Sequence, residues 1–370
     1  MNKFFKFFLF LNAVVFSFEA KARSYPYIDG SVLSRVQVDR VMSSQDQGIP
    51  ANNGFIYVEP RFSLNFNRNW SLKTQWRFQP NNVLTTRDKE NPERYRTFLQ
   101  TDRGLAIDNN GLLVEELKFY FENEDMAFQI GKFDPKFGVG HDKNKRIGIF
   151  TAQFNEDYNL REKLGAGISA LLEDSKLTIN GFFDDTTGLS ESAFNDRGRA
   201  NSKNGTAGNT GTLSSYSIDL IGENLAGHKE WKYNVGYRSL SVDGGTNRGR
   251  ETGYVLGSEY NFVIGNNVNF VPFMEVVKIT NLSGENQRNA LYTTVAFSVK
   301  YSGWNFGVSQ VQRSIDATAD TIKSKDKQIQ VFAGYRFSNN FTLDFTRSAL
   351  KENGSKAALA GFTASYLYEF

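Results

Sequence analysis

The sequence contains no cysteine, only 7 prolines and only 2 histidines in 370 residues. Without cysteine the chain cannot be a small secreted module that disulfides hold together. No serine motif aligns with His141 or His228 in a way that would suggest ester hydrolysis. Asp102 and Asp108 lack the spacing of a dedicated calcium loop. We therefore expect a protein that is not an enzyme and has no cofactor and no metal site.

A long apolar segment is also missing from most of the chain. Beyond residue 22 no stretch approaches the roughly 20 apolar residues that a membrane-spanning helix needs, and the mean hydropathy is -0.45. A helical membrane protein is therefore excluded. A transmembrane β-barrel is compatible with these values, because only every second residue of its strands faces lipid.

The N-terminus carries the one continuous apolar run, Phe7 to Phe18, which follows two lysines. Ala20-Lys21-Ala22 supplies the small-x-small pattern that signal peptidases recognise. The run is shorter than a membrane anchor requires. We expect residues 1–22 to be a cleaved signal peptide and residues 23–370 to form the mature domain.

Aromatic residues are abundant, with 33 Phe, 16 Tyr and 4 Trp. The segment 361–370 places its aromatic side chains on one parity and polar side chains on the other. The aromatic positions are Phe362, Tyr366, Tyr368 and Phe370. Such a strand fits the aromatic girdle of a bacterial outer-membrane barrel. We predict that these four residues form a C-terminal signal for barrel assembly.

Segments with a period of two residues recur along the chain after the predicted signal peptide. We find sixteen of them, and an even number closes an antiparallel sheet with both termini on the same side of the membrane. Their predicted bounds are 29–40, 55–66, 70–79, 112–121, 125–133, 163–173, 175–183, 213–222, 231–241, 251–263, 268–279, 290–301, 303–313, 329–337, 341–349 and 359–370. The prediction is an all-β fold, a transmembrane antiparallel β-barrel of about 16 strands.

The connections between these segments alternate between short and long. The short ones are polar turns such as Asn67-Arg68-Asn69, which we place on the periplasmic side. The long ones include 80–111, 134–162 and 184–212, and we place them outside the cell. A compact soluble domain rarely contains loops of this length.

The loop 134–162 combines charged and aromatic residues, and Phe137, Phe150 and Phe154 would be exposed to water if the loop extended from the barrel. We therefore expect this third extracellular loop to fold inward onto the barrel wall. The segment 268–279 differs from the other strands because it is apolar on both parities.

A barrel of 16 strands is too wide for its own side chains to fill, so the predicted lumen contains water. Passage of ions and small hydrophilic solutes follows from this geometry. Basic residues on the inward parity include Lys73, Arg77 and Arg238 and favour a weak anion preference. Inward Asp219 and Asp344 oppose a strong one.

Sixteen strands, a terminal Phe and an inward-folded third loop together resemble the general porins of Gram-negative bacteria. The stretches 131–138 and 154–158, with 57–60 and 114–117, are similar to porin-like proteins of alphaproteobacteria. The chain lacks the usual opening strand of general porins and their Pro-Glu-Phe-Gly-Gly loop motif. The resemblance implies the outer membrane as location and a homotrimer. It also implies outer-membrane lipid, the barrel-assembly machinery and periplasmic chaperones as partners.

The resemblance further implies a constriction in which acidic residues of the third loop face basic residues of the early strands. The candidates on the acidic side are Asp134, Asp142, Glu156 and Asp157. Those on the basic side are Arg61, Lys73 and Arg77. Opposed charges in a narrow gap order water and sort solutes by charge and dipole. Alternatively, the lysines and the arginine of the same loop neutralise its acids locally.

Glu115 and Glu116 are adjacent, and we expect only one of them to face the lumen, with the other at a strand end or paired with a base. This expectation follows from the alternation of side chains along a strand.

Three functions stay open at this point. The first is a channel for passive diffusion of ions and small solutes. The second is a substrate-selective channel for sugars or anions, and the third is a plugged barrel that acts as a surface adhesin or structural protein. The net charge of +3 is small for this length and gives no support for a nucleic-acid partner.

Overall fold

The computed structural model describes residues 24–45, 52–80, 110–143, 147–150, 152–194, 206–244, 248–265, 267–316 and 323–370. The predicted signal peptide and most of the connection 80–111, including Asp102 and Asp108, lie outside the described residues.

The described residues form eighteen strands. They are β1 (Tyr27–Ser44), β2 (Asn52–Asn65), β3 (Trp70–Pro80), β4 (Asn110–Glu122), β5 (Met126–Phe133), β6 (Lys163–Leu172), β7 (Ser175–Asp184), β8 (Ser192–Ala193), β9 (Ser215–Gly222), β10 (Trp231–Leu240), β11 (Glu251–Tyr260), β12 (Phe262–Ile264), β13 (Val268–Thr280), β14 (Ala290–Tyr301), β15 (Trp304–Ile315), β16 (Ser324–Arg336), β17 (Phe341–Glu352) and β18 (Ser355–Glu369).

The helical elements that lie wholly within the described ranges are single turns in the connections. These turns are Gly140–Lys143, Ala152–Asn155, Glu156–Tyr158, Gly188–Ser190 and Leu282–Gly284. Within the described ranges, no helix has the length and apolar character needed to cross a membrane.

Sixteen spanning strands form the barrel. β11 and β12 act as one strand that is interrupted at Asn261 and pairs along its whole length with β13. β8 is a two-residue strand outside the ring that pairs with β4. All pairings between neighbouring strands are antiparallel, and β7 pairs directly with β9. The predicted antiparallel barrel of about 16 strands is therefore confirmed.

The barrel closes between its first and last strands. β1 pairs with β18 over thirteen residue pairs, from Ser31 opposite Glu369 to Ser44 opposite Ala357. Gly30 and Phe370 also exchange backbone hydrogen bonds of 3.2 and 3.1 Å. A Cβ on Gly30 would lie 2.2 Å from a backbone carbonyl oxygen, so this position accommodates only glycine. Closure leaves no sheet edge unpaired, as a membrane-embedded sheet requires.

Side chains alternate between an outer apolar face and an inner polar face, as a strand period of two dictates. On β16, Ile329 and Val331 are 40% and 54% exposed, while Gln328 and Gln330 between them are buried. The aromatic residues near the short-turn end lie on the same outer face, with Trp304 stacked against Phe306 at a ring distance of 5.2 Å. The outer face is thus suited to lipid.

The connection between β17 and β18 is shorter than the sequence pattern indicated. The predicted strands ended at 349 and began again at 359, whereas the structure continues β17 to Glu352 and starts β18 at Ser355. Asn353 and Gly354 form the turn, with φ of 49° and 84°, and such Asn-Gly pairs favour two-residue hairpins. The apolar alternation fails here because the outward positions carry Lys351 and Lys356.

The assignment of the two faces is testable because the native chain has no cysteine. Thr178 on β7 lines the inner cavity, and the neighbouring Ile179 is 45% exposed on the outer face. We expect Thr178→Cys, in protein reconstituted in vesicles, to react with a water-soluble, membrane-impermeant thiol reagent. Ile179→Cys should react only with a lipid-soluble maleimide, and the reverse pattern would contradict this assignment.

Candidate functional site

The described residues of the loop 134–162, which are 134–143, 147–150 and 152–162, lie inside the barrel. The backbone N–H groups of Ile149 and Phe150 donate to the side chains of Thr346 and Gln330 at 3.3 and 3.4 Å. Thr294 donates to the Asn155 side chain at 3.1 Å. All three wall residues occupy the inward parity of β14, β16 and β17. The loop therefore rests on the inner wall opposite β2–β7.

Apolar packing holds the loop against that wall. Phe137, Phe150, Phe154 and Tyr158 are 0–2% exposed. They form one buried cluster with inward-facing apolar residues of the strands, which include Val277, Ile279, Tyr292, Val311, Leu350 and Leu359. Burial of this apolar surface is a dominant favourable term in fixing the loop.

The packing also explains the strand that is apolar on both parities. On β13 the inward residues Val271, Phe273, Val277 and Ile279 are buried, and Phe273 forms a second cluster with Ile147 of the loop. The outward parity of this strand lies on the outer face of the barrel. Both parities are therefore apolar because one forms the apolar outer face and the other packs against the loop.

Glu275 is the one charged residue on the inward parity of β13, and it binds both ends of the loop. Its carboxylate accepts hydrogen bonds from the backbone N–H of Val139 at 2.6 Å and of Gly140 at 3.0 Å. It also accepts one from the Tyr158 hydroxyl at 2.6 Å. A charged acceptor strengthens each of these hydrogen bonds. Glu275 therefore clamps residues that are about twenty positions apart in the loop.

A polar cavity of about 440 Å³ lies between the loop and the wall formed by β2–β7. Seven basic side chains line it: Arg61, Lys73, Arg77, Lys118, Lys136, Arg161 and Lys176. Three acidic side chains line it as well: Glu116, Asp134 and Asp142. Polar neighbours on the wall include Gln129, Ser169, Thr178 and Asn180. The loop thus packs against one side of the inner wall, and the cavity lies on the other side.

The cavity brings together five of the seven residues that the sequence suggested for a constriction. Asp134 and Asp142 lie on the loop side, and Arg61, Lys73 and Arg77 lie on the strand side. Glu156 is not among the lining residues. Its carboxylate binds Arg161 at 2.5 Å.

Asp157 points away from this cavity. Its side chain is buried and bonds Arg313 of β15 at 2.9 Å and the Tyr292 hydroxyl at 3.2 Å. Arg313 also binds Asp326 and Glu352. Asp157 therefore anchors the loop to the far wall, a partner that its position in the sequence did not reveal.

The basic side of the cavity is partly neutralised within the wall. Arg77 binds Glu115 at 2.6 Å, and Arg61 binds Glu59 at 2.5 Å. The Lys73 ammonium lies 3.6 Å from the centre of the Tyr120 ring, a cation–π contact. Local pairing, which the sequence left open for the loop, therefore also operates on the strands.

Glu115 and Glu116 both lie on the inner face, so the expectation that only one does was wrong, but one of them is paired with a base as expected. β3 and β4 shift register between Gln75 and Trp76, so that Gln75 pairs with Glu116 and Trp76 pairs with Val114. Glu115 is the extra residue of this β-bulge, and a bulge breaks the alternation of side chains. Glu115 bonds Arg77, and Glu116 lines the cavity.

Three carboxylates of the loop have shifted pKa values. Burial raises the pKa of Asp134, although Arg161 and the backbone N–H of Glu162 act against it. Burial would also raise the pKa of Asp142, but hydrogen bonds from His141 and Lys136 outweigh it and hold that pKa below its usual range. Arg161 likewise overcomes burial and lowers the pKa of Glu156. Asp142 and Glu156 are thus charged at neutral pH.

Solved outer-membrane proteins share this architecture. OmpF of Salmonella typhi in complex with daunomycin has 13% identity and a TM-score of 0.57, over 93% of this chain and 98% of that chain. The outer membrane channel DcaP of Acinetobacter baumannii has 11% identity and a TM-score of 0.56, over 95% and 99%. OccK8 (OprE) of Pseudomonas aeruginosa has 9% identity and a TM-score of 0.53, over 93% and 98%.

The chain has the fold of Gram-negative outer-membrane porins. At these identities the likeness concerns the fold alone. No family model matches the sequence. No curated protein matches it either.

The C-terminal aromatics occupy the outer face that the sequence predicted. Phe362 and Tyr366 are 45% and 42% exposed. The ring of Phe370 lies 5.9 Å from that of Tyr368 and 6.1 Å from that of Phe62 on β2. Their role as an assembly signal stays a prediction.

Glu275→Ala tests the clamp. The substitution leaves three donors without their acceptor, and each such loss costs about 1–3 kcal/mol, so we expect a destabilisation of about 3 kcal/mol and a loosened loop. Urea unfolding of the protein in lipid vesicles and limited proteolysis of the loop measure the two effects. Tyr158→Phe removes one hydrogen bond and should have about a third of the effect.

Glu173→Ala, at an exposed turn, is the matched control and should behave like the wild type. Equal proteolysis of the loop in Glu275→Ala and in the control would show that Glu275 does not hold the loop.

Proposed function

We propose that the protein is an outer-membrane channel for passive diffusion of ions and small hydrophilic solutes. The observation that carries the proposal is the charged cavity between the loop 134–162 and β2–β7. In a plugged barrel the loop would pack against the whole inner wall, whereas here it leaves a cavity lined by charged side chains beside β2–β7. The porin fold agrees with this function.

Diffusion through the cavity requires no covalent step. Water and solute pass between the loop side, where Asp134 and Asp142 lie, and the strand side, where Lys73 and Arg77 lie. The opposed charges act on a solute over a short distance in a medium of low dielectric constant, so they sort by charge and dipole. The clamp at Glu275 keeps the width of the passage constant.

The charges predict a weak anion preference. Seven basic and three acidic side chains line the cavity, and Glu59, Glu115 and Glu156 each bind one of its arginines from outside the lining. The excess is therefore one positive charge. A fixed charge of this size biases the ions in the lumen without excluding cations.

A substrate-selective channel for anionic solutes is the second candidate. It is favoured by Lys73, Lys118 and Lys176, which line the cavity from β3, β4 and β7. Such a channel would show a conductance that saturates or is blocked when its anion is added. A diffusion channel would show a linear dependence.

The proposal has three further parts. They are export by a cleaved signal peptide, residence in the outer membrane and association as a homotrimer. Similarity to porin-like proteins of alphaproteobacteria also stays a prediction.

Single-channel recording of the mature protein in a planar bilayer tests the function. We expect ohmic steps, and steps in groups of three would support a trimer. A folded barrel without conductance would instead support the plugged, adhesive or structural function. Folding is verified independently by the heat-dependent mobility of the barrel in gels.

The Lys73→Gln and Arg77→Gln double variant tests the charge balance. The variant removes two positive charges from the strand side and the ion pair between Arg77 and Glu115, so the reversal potential in a salt gradient should move toward cations. The control is Lys229→Gln with Lys278→Gln, both exposed and outside the cavity lining. An equal shift in the control would place the selective charges elsewhere.

A further inference from the structure

The outer face of the barrel carries a group of cations near its long-connection end. Lys327, Lys351, Lys356, Arg347 and Arg40 are all exposed and all occupy the outward parity of β16, β17, β18 and β1. The aromatic and aliphatic side chains that face lipid continue on the same strands toward the short-turn end. We call these five residues the outer basic cluster.

Three of the lysines face one another directly across neighbouring strands. Lys327 pairs with Lys351, and Lys351 pairs with Lys356. Directly opposite side chains have Cβ atoms about 5 Å apart, and like charges in such pairs destabilise a sheet. A row of three lysines is therefore unfavourable unless an anion lies among them.

The described residues supply no such anion on this face. Among the described residues, the outward positions of β14–β18 and β1 carry no Asp or Glu. The nearby acids Asp326 and Glu352 point inward, where both bind Arg313. The neutralising charge must come from outside the described chain.

Small residues form a floor beside the lysine row. Ala349 pairs with Ala358 on the next strand, and Ala360 lies between Arg347 and Arg40 in the pairing order. The alanines separate the lysine row from the two arginines by four residues along β17, or about 13 Å. Long basic side chains thus surround a shallow apolar surface. Such a surface suits a lipid, whose phosphate group would meet the basic side chains and whose acyl chains would meet the alanines.

The strands of this wall are longer than a membrane crossing needs. β16, β17, β18 and β1 have 13, 12, 15 and 18 residues, whereas a tilted strand crosses the hydrocarbon with about 9–11. Their ends near the long connections therefore reach the headgroup layer. This step rests on the proposed location in a membrane.

We propose that the outer basic cluster binds the phosphate groups of membrane lipids in the leaflet that surrounds the long-connection end. The lysine row holds one phosphate group, and Arg347 and Arg40 hold a second one on the other side of the alanine floor. Acyl chains of the same lipid lie against the apolar strands below. The cluster thereby orders lipid around one side of the barrel.

The experiment compares the wild type with the K327Q/K351Q/K356Q triple variant. Refolded proteins in zwitterionic detergent are titrated with lipid A that carries two phosphates, and bound lipid is counted by native mass spectrometry. Each lysine near an anionic headgroup contributes about a fivefold gain in affinity, so the triple variant should bind about 100-fold more weakly. Thermal stabilisation by the lipid should disappear with it.

Two comparisons make the result specific. The R68Q/K229Q/K232Q variant removes the same three charges at the short-turn end and should bind lipid like the wild type. Lipid A with one phosphate should bind the wild type more weakly than the form with two. In lipid-free detergent the K327Q/K351Q/K356Q variant should be more stable than the wild type, because the repulsion within the row is removed.

Equal lipid binding by the wild type and the triple variant would overturn the proposal. So would stabilisation of the wild type by inorganic phosphate at the same phosphate concentration, since the ligand would then be a soluble anion. A change of oligomeric state in the triple variant would also overturn it, since the face would then contact a second copy. Conductance should be the same in the wild type and the triple variant. A wild type without conductance would contradict the channel function, and this result is independent of the lipid measurement.

Discussion

Closing the sheet between β1 and β18 imposes one alternation of side chains on the whole barrel. Each strand is held in register by two neighbours, and a shift of one residue would turn its lipid-facing side chains into the lumen. The ring also gives each spanning strand a hydrogen-bonded neighbour on both sides, which is how a barrel satisfies its backbone groups in a membrane. The parity of a residue decides whether its side chain points into the lumen or outward. The composition of the inner wall, the attachment of the loop and the position of the outer charges all follow from it.

Inside the ring, the loop 134–162 converts a wide barrel into an asymmetric passage. Apolar packing around Phe150 and Tyr158 and the hydrogen bonds to Glu275 attach the loop to the wall opposite β2–β7. Charged residues that meet there pair almost completely, as Asp157 does with Arg313. The charges that line the cavity on the other side keep their contact with water.

Charged side chains on the inner face of β16 and β17 form ion pairs within the protein, whereas those on the outer face of the same strands form none among the described residues. Inward Asp326 and Glu352 share Arg313, while the outward lysines on either side of them in sequence have no acid on their face among the described residues. Buried charges require a partner in the protein. Charges on the outer face have no such partner on their strands, and our proposal assigns this role to lipid phosphate groups.

The periodicity of the sequence was sufficient to predict the all-β fold, the number of spanning strands and most of their bounds, because a strand period of two is a local property that each segment shows by itself. It also predicted, from the aromatic content of the loop 134–162, that the loop needs an apolar surface. The tertiary structure alone decided that Glu115 and Glu116 both face inward, that Asp157 joins the far wall and that Glu275 clamps the loop. Each of these depends on which residue of a distant strand comes opposite, and that register is decided by closure of the whole ring.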